Sequence, residues 1–283
     1  MRRALLDGAR ANLEAGSRDG AIDRIHAPGN LLATGDLHDN PVHFNALMKA
    51  AGMTAETDNG AHLTLHELIH SDRLVDGMDF SYRMLARVAA LKTAFPERVH
   101  TLLANHELAQ VMGAGIVKDG VRCVDVFNDG VLDTFGDQSE VVTDAIGTFI
   151  RSMPLALRCH TPRGDILCAH SLPAPEAMGR FDATILDRPL TDDDYAPRKG
   201  SAYFMVWGRG YDHDQLEDLV ERWGINLFIL GHEHADSGVA FVPPNAIVLN
   251  SDHARGVYLP IDLDNPPSPM RALESVVSLS MPG

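Results

Sequence analysis

Five apolar runs in this chain each stop at a cluster of side chains that could hold a metal, and that recurrence constrains the fold more than anything else. The clusters are Gly35-Asp36-Leu37-His38, Leu65-His66-Glu67, Ala104-Asn105-His106-Glu107, Ala169-His170 and Gly231-His232-Glu233-His234. They lie at or just past NLLATG (30–35), HLTLHELI (62–69), VHTLLA (99–104), DILCA (165–169) and NLFIL (226–230), which read as buried strands. Helices are expected between the first three strands, one from Asn40-Pro41 to about 51 and one over 80–94. Strand, helix, strand, helix, strand is the order of parallel crossovers. In sheets of that kind, functional groups collect beyond the carboxyl ends of the strands.

The rest of the chain is read more coarsely. Residues 3–16 have helical spacing, and an N-terminal helix is expected within about 1–26, closed by Pro28-Gly29. Residues 113–150 read as a mainly helical insertion. LALRC (155–159) and DILCA (165–169) flank a Thr-Pro-Arg-Gly turn and read as a hairpin. A helix over about 213–224 and strands over 238–242, 246–250 and 256–263 follow, and the tail after Asn265 is expected to be loose. No linker divides the chain, so residues 1–283 are expected to form a single domain of the α/β class.

Composition limits the partners. The net charge of -15, from 24 Lys+Arg against 39 Asp+Glu, argues against broad nucleic-acid binding, which needs cations to neutralise phosphates. No apolar run approaches the ~20 residues of a membrane span, and the N-terminus lacks a secretory h-region. Three cysteines without metal-pair spacing suit a reducing, cytoplasmic setting. An anionic substrate would need positive charge concentrated at one place.

The strand-end clusters can supply that charge. Residues two apart on extended backbone share a face, so Asp36 with His38, and His232 with His234, could each aim two donors at one spot. Asp36, Glu67 and Asn105 offer oxygen; His38, His170, His232 and His234 offer nitrogen. Seven donors exceed one tetrahedral ion and suit two mixed sites sharing a carboxylate, for Mn, Fe or Zn. The plain alternative is a His- and Asp-rich α/β domain with no stoichiometric metal.

The series GDLH, carboxylate strand end, NHE, single His and GHEH resembles the calcineurin-like metallophosphoesterases. Spacings of 31 residues from Asp36 to Glu67 and 38 from Glu67 to Asn105 follow that pattern. FIRSMPLALRC…DILCAHSLP and GRGYDHDQLEDLVERWGINLFILGHEH are similar to segments of its phosphoprotein-phosphatase-like branch. The resemblance implies a two-layer β-sandwich flanked by helices, with two divalent metals at one edge. It implies Asp36, His38 and His234 on one metal, Asn105, His170 and His232 on the other, and Glu67 between them. It also implies His106 as general acid for the leaving group opposite a metal-activated water, with Asn105 touching substrate.

Several positions depart from the family pattern. Glu67 replaces the bridging Asp, His66 the Gly before it, and His70 the Asp that orients the general acid. Leu103-Ala104 stand where an arginine precedes the NHE motif. Two phosphate-gripping arginines are therefore missing, with Arg209 in the Trp207-Gly208-Arg209-Gly210 turn, or Arg73, left to substitute. The expected activity is hydrolysis of a phosphate ester on a small phosphorylated molecule or nucleotide rather than a phosphoprotein. The alternatives are a metal-binding but weakly catalytic scaffold of the same fold and a Ser/Thr protein phosphatase.

Overall fold

The computed structural model describes residues 1–54, 60–113 and 115–280. Helix α1 (Arg2–Glu14) leads into strands β1 (Arg18–Asp19), β2 (Ile22–His26) and β3 (Asn30–Thr34). Then come α2 (Pro41–Ala50), β4 (His62–Leu65), α3 (Tyr82–Ala94), β5 (Val99–Thr101) and α4 (Asn105–Met112). The segment read as an insertion holds a small hairpin, β6 (Val117–Lys118) and β7 (Val121–Arg122), with α5 (Cys123–Phe135) and α6 (Ser139–Ser152); Ala114 within it lies outside the described residues. Strands β8 (Ala156–His160) and β9 (Asp165–Ala169) precede α7 (Ser201–Trp207) and α8 (His213–Trp223). Strands β10 (Ile225–Leu230), β11 (Val239–Val242), β12 (Ala246–Leu249) and β13 (Val257–Asp262), helix α9 (Pro269–Glu274) and β14 (Val277–Ser278) finish the chain.

The strands make two main sheets. One runs β1-β2-β8-β9-β10-β12-β11, the other β14-β13-β3-β4-β5. The expected crossovers are present, since β3, β4 and β5 pair in parallel, and β8 and β9 form the expected antiparallel hairpin. Alternation along each strand divides the core in two. Leu31, Ala33, Leu157, Cys159, Ile166, Cys168, Leu227, Ile229, Ile247 and Leu249 meet between the sheets. Leu32, Ala156, Leu167, Phe228 and Leu230 face outward into the helices. Strands buried on both faces have no polar face to show, which explains their unbroken apolar sequences. The result is a two-layer α/β sandwich flanked by helices. Cys159 and Cys168 are packing residues of its centre, and the cysteines are free thiols.

Two segments differ from expectation. The N-terminal helix stops at Glu14, and Ile22–His26 is a strand paired in parallel with β8. Its polar composition hides it. Asp23 is fully buried, held by Arg18 Nε at 2.9 Å and His100 Nδ1 at 2.7 Å. The tail is also ordered over the described residues to 280: Pro269 opens α9, Ala272 is buried, and β14 pairs with the start of β13. No helix among the described residues is long and apolar enough to cross a membrane.

Candidate metal centre

The two sheets converge at one point, and the clusters meet there. Just beyond β3, Asp36 bridges His66, which follows β4, and Asn250, which follows β12. Gly35 donates its N–H to Ser251 Oγ at 2.9 Å, and Asp36 O accepts from Ser251 N at 3.0 Å. Extended backbone ends here. His38, Asp39, Glu67, His70 and His232 have φ of 40°, 52°, 50°, 58° and 68°. Non-glycine residues rarely take such values, and they collect where surrounding structure forces side chains into a functional arrangement.

The side chains form two adjoining groups. In the first, Asp36 Oδ1 lies 3.5 Å from His66 Nδ1 and 3.4 Å from His170 Nδ1. In the second, Glu67 Oε1 lies 3.5 Å from both His38 Nε2 and His106 Nε2. Glu67 Oε2 turns the other way, 3.4 Å from His170 Nε2, so this carboxylate spans the groups. Asn105 heads α4, with its Oδ1 2.7 Å from His170 Nε2, and His232 Nδ1 is 3.1 Å from the same nitrogen. Asp36, His38, Glu67, Asn105, His106, His170 and His232 thus come together.

His234 does not join them. It is exposed, with its Nε2 on Asp236 Oδ1 at 3.0 Å. The physical reason is that β10 stops at Leu230 and His232 has positive φ, so the two-residue alternation no longer operates. The same break at His38 turns its imidazole toward Glu67. Arg209 is exposed at the rim, where its Nη1 donates to His232 O at 2.8 Å. Arg73 instead donates to the Asp39 carbonyl.

Three residues that the sequence left without a role belong to the site. His66 is inside the first group. Gln110, one turn along α4, places Oε1 3.0 Å from His70 Nε2. Asn250 braces the final His loop, accepting from Ala235 N at 2.7 Å and donating to Glu233 O at 3.0 Å. His66 stands in the Leu65-His66-Glu67 cluster and as a departure from the family pattern, but with no role of its own; the other two carry no local signal. Glu107 has a supporting part, its Oε1 accepting from Leu68 N at 2.7 Å behind Glu67.

The electrostatics favour cation binding. Burial pushes Asp36 up, but the imidazoles of His170, His66 and His38 outweigh it and hold the carboxyl well below the usual range. Burial, with Asp36 and Glu107 nearby, pushes Glu67 well above its ordinary value. Burial lowers His66 and His70 to about 4, and it lowers His106, His170 and His232 as well. Neutral imidazole and ionised carboxylate are the forms that ligate divalent cations, whose charge would also draw the Glu67 proton off. Glu67 Oε2 and His232 Nε2 are buried with no hydrogen-bond partner among the described residues. Orphaned buried polar atoms of this kind call for an ion or water. The donor set therefore fits divalent metal.

Comparison with known proteins agrees with this geometry. A protein serine/threonine phosphatase from Saccharomyces cerevisiae superposes with TM-score 0.65 at 12% identity, over 92% of this chain and 81% of that one. A cold-active protein-tyrosine phosphatase of a psychrophilic Shewanella species superposes with TM-score 0.56 at 14% identity, over 88% and 80%. At such identities the likeness is one of fold. No curated protein matches significantly in sequence. The profile of the calcineurin-like phosphoesterases matches residues 29–236, which include Asp36, His38, Glu67, Asn105, His106, His170 and His232. That span is well over half of the sequence, so the chain is a member of the calcineurin-like phosphoesterase family.

Proposed function

We propose that this protein hydrolyses a phosphate ester on a small phosphorylated molecule or nucleotide, using two divalent cations held by the cluster. The observation that carries the reading is the convergence of Asp36, Glu67, Asn105 and the imidazoles of His38, His170 and His232 around buried atoms with no other partner. When bound, such cations neutralise phosphate oxygens and provide an activated water as nucleophile. Mn, Fe and Zn all suit mixed nitrogen and oxygen donors.

The chain's own residues do the rest. Arg209 offers its remaining donors to a phosphate oxygen at the rim. His106 handles the leaving group's proton at Nε2. Its Nδ1 is 2.9 Å from His70 Nδ1, and His70 Nε2 faces Gln110 Oε1. Since an amide oxygen only accepts, His70 Nε2 carries the proton and His70 Nδ1 accepts from His106 Nδ1. His106 Nε2 is then the free position, and a proton added there is the one delivered. His70 cannot neutralise the resulting cation as an aspartate would. His106→Asn should therefore lower turnover of alkyl phosphates by about 10²–10⁴-fold while sparing p-nitrophenyl phosphate, whose leaving group needs no proton. Equal losses on both would remove His106 as the acid.

The missing arginines favour a small substrate. So does a cavity of about 140 Å³ beside His70, walled by Asp72, Lys118, Asp119, Val121 and Cys123. The hairpin of the 113–150 segment supplies part of that wall, giving it a say in substrate choice. A cytoplasmic site of action, without broad nucleic-acid binding, fits the free thiols and the acidic surface. A second reading, a weakly catalytic metal-binding relative, is favoured by His70 at the acid's shoulder. Elemental analysis of the purified protein with a phosphoester panel in added Mn²⁺ tests the proposal. Stoichiometric metal with rapid turnover of nucleotides or small esters supports it; metal without turnover favours the second reading.

A further inference from the structure

We infer that His66 is itself a metal ligand, completing a three-donor site with Asp36 and His170 that takes over from the outlying His234. The inference rests on the reading of the cluster as a divalent-metal centre. The family pattern places glycine at this position, so nothing in the resemblance provides for an imidazole here.

The hydrogen bonds determine which ring nitrogen is free. His66 Nε2 lies 2.9 Å from Thr34 O, and a carbonyl oxygen only accepts, so Nε2 holds the proton and Nδ1 the lone pair. His170 Nε2 faces Asn105 Oδ1 at 2.7 Å, which leaves its Nδ1 lone pair free in the same way. These two Nδ1 atoms stand 3.1 Å apart, and Asp36 Oδ1 is 3.5 Å from the first and 3.4 Å from the second. Three electron-rich atoms with no proton between them face one another where the imidazoles are 0–1% exposed. Two imidazole nitrogens and a carboxylate oxygen at this spacing are a ready donor set for one cation.

The spacing also matches one cation. Donors on a tetrahedral ion with bonds of about 2.0–2.1 Å stand about 3.3–3.4 Å apart. The measured triangle of 3.1, 3.4 and 3.5 Å brackets that value. Three protein donors leave the fourth position open, as in catalytic rather than structural zinc sites. Gly231 makes room for the group: a Cβ there would come 2.3 Å from Asp36 Oδ1 and 2.7 Å from His66 Cε1.

The test is equilibrium dialysis against Zn²⁺ alone, with bound metal counted by mass spectrometry, on wild type, His66→Gly, His66→Gln and His234→Ala. Circular dichroism checks that each variant is folded. Both His66 variants should bind one zinc equivalent about 10–100-fold more weakly or worse, and His234→Ala should match wild type. Anomalous scattering from zinc-loaded wild-type crystals should place the ion within about 2.0–2.1 Å of His66 Nδ1, a readout independent of the variants. Folded His66→Gly with wild-type affinity, or an ion centred away from His66, would overturn the inference and leave the phosphoesterase reading intact. A wild-type protein that binds no zinc would remove both.

Discussion

Asp36→Asn should reduce metal-dependent phosphoester hydrolysis by more than about 100-fold, beyond what losing a residue that merely supports a ligand costs. The substitution is nearly isosteric. Both Asp36 oxygens accept from His232 N at 3.0 Å, and an asparagine carbonyl can keep one of those contacts. What disappears is a buried negative charge whose close neighbours in the cluster are imidazoles. Those imidazoles hold the carboxyl well below the usual range, so the ionised side chain contributes stability at neutral pH that asparagine lacks. The metal-free variant should therefore melt below wild type while remaining folded, and its metal content and activity should collapse. Steady-state hydrolysis of p-nitrophenyl phosphate in Mn²⁺, beside a thermal melt in chelator, reads both effects. Activity within tenfold of wild type would remove Asp36 from the metal centre.

Gly35→Ala should destabilise the fold by about 3 kcal/mol or more, at the upper end of overpacking penalties. An added Cβ would meet Leu249 O at 1.8 Å, Leu249 C at 2.2 Å and Asn250 N at 2.7 Å. All three are backbone atoms of the strand end that joins the two sheets, so no side chain can rotate aside. Gly147 within α6 is the control, since nothing lies within 4 Å of a Cβ built there. Alanine at that position should add about 0.5–1 kcal/mol, the usual gain over glycine in a helix. Urea denaturation of the two variants gives both numbers. A Gly35→Ala protein as stable as wild type would show that the sheets do not approach this closely.

Much of this molecule is legible in its sequence. Its central strands announce themselves because both faces are buried, and the β8–β9 hairpin because a Thr-Pro-Arg-Gly turn separates two apolar runs. The strand Ile22–His26 was illegible because its charged Asp23 is tolerated only through Arg18 and His100, the latter 77 residues away. The site divides in the same way. The order of the motifs and the donor chemistry of their side chains are local properties, so they could be read directly. Which donors share a centre is not local. The backbone turns to positive φ just past the strands, so His234 swings out to solvent while His66 stands in contact with a histidine 104 residues away. Sequence alone therefore determined the family, the layered fold and the donor chemistry of the strand-end side chains. Only the packing of two sheets against each other decided which of those donors face one another, because that depends on backbone turns and distant contacts that no strand encodes by itself.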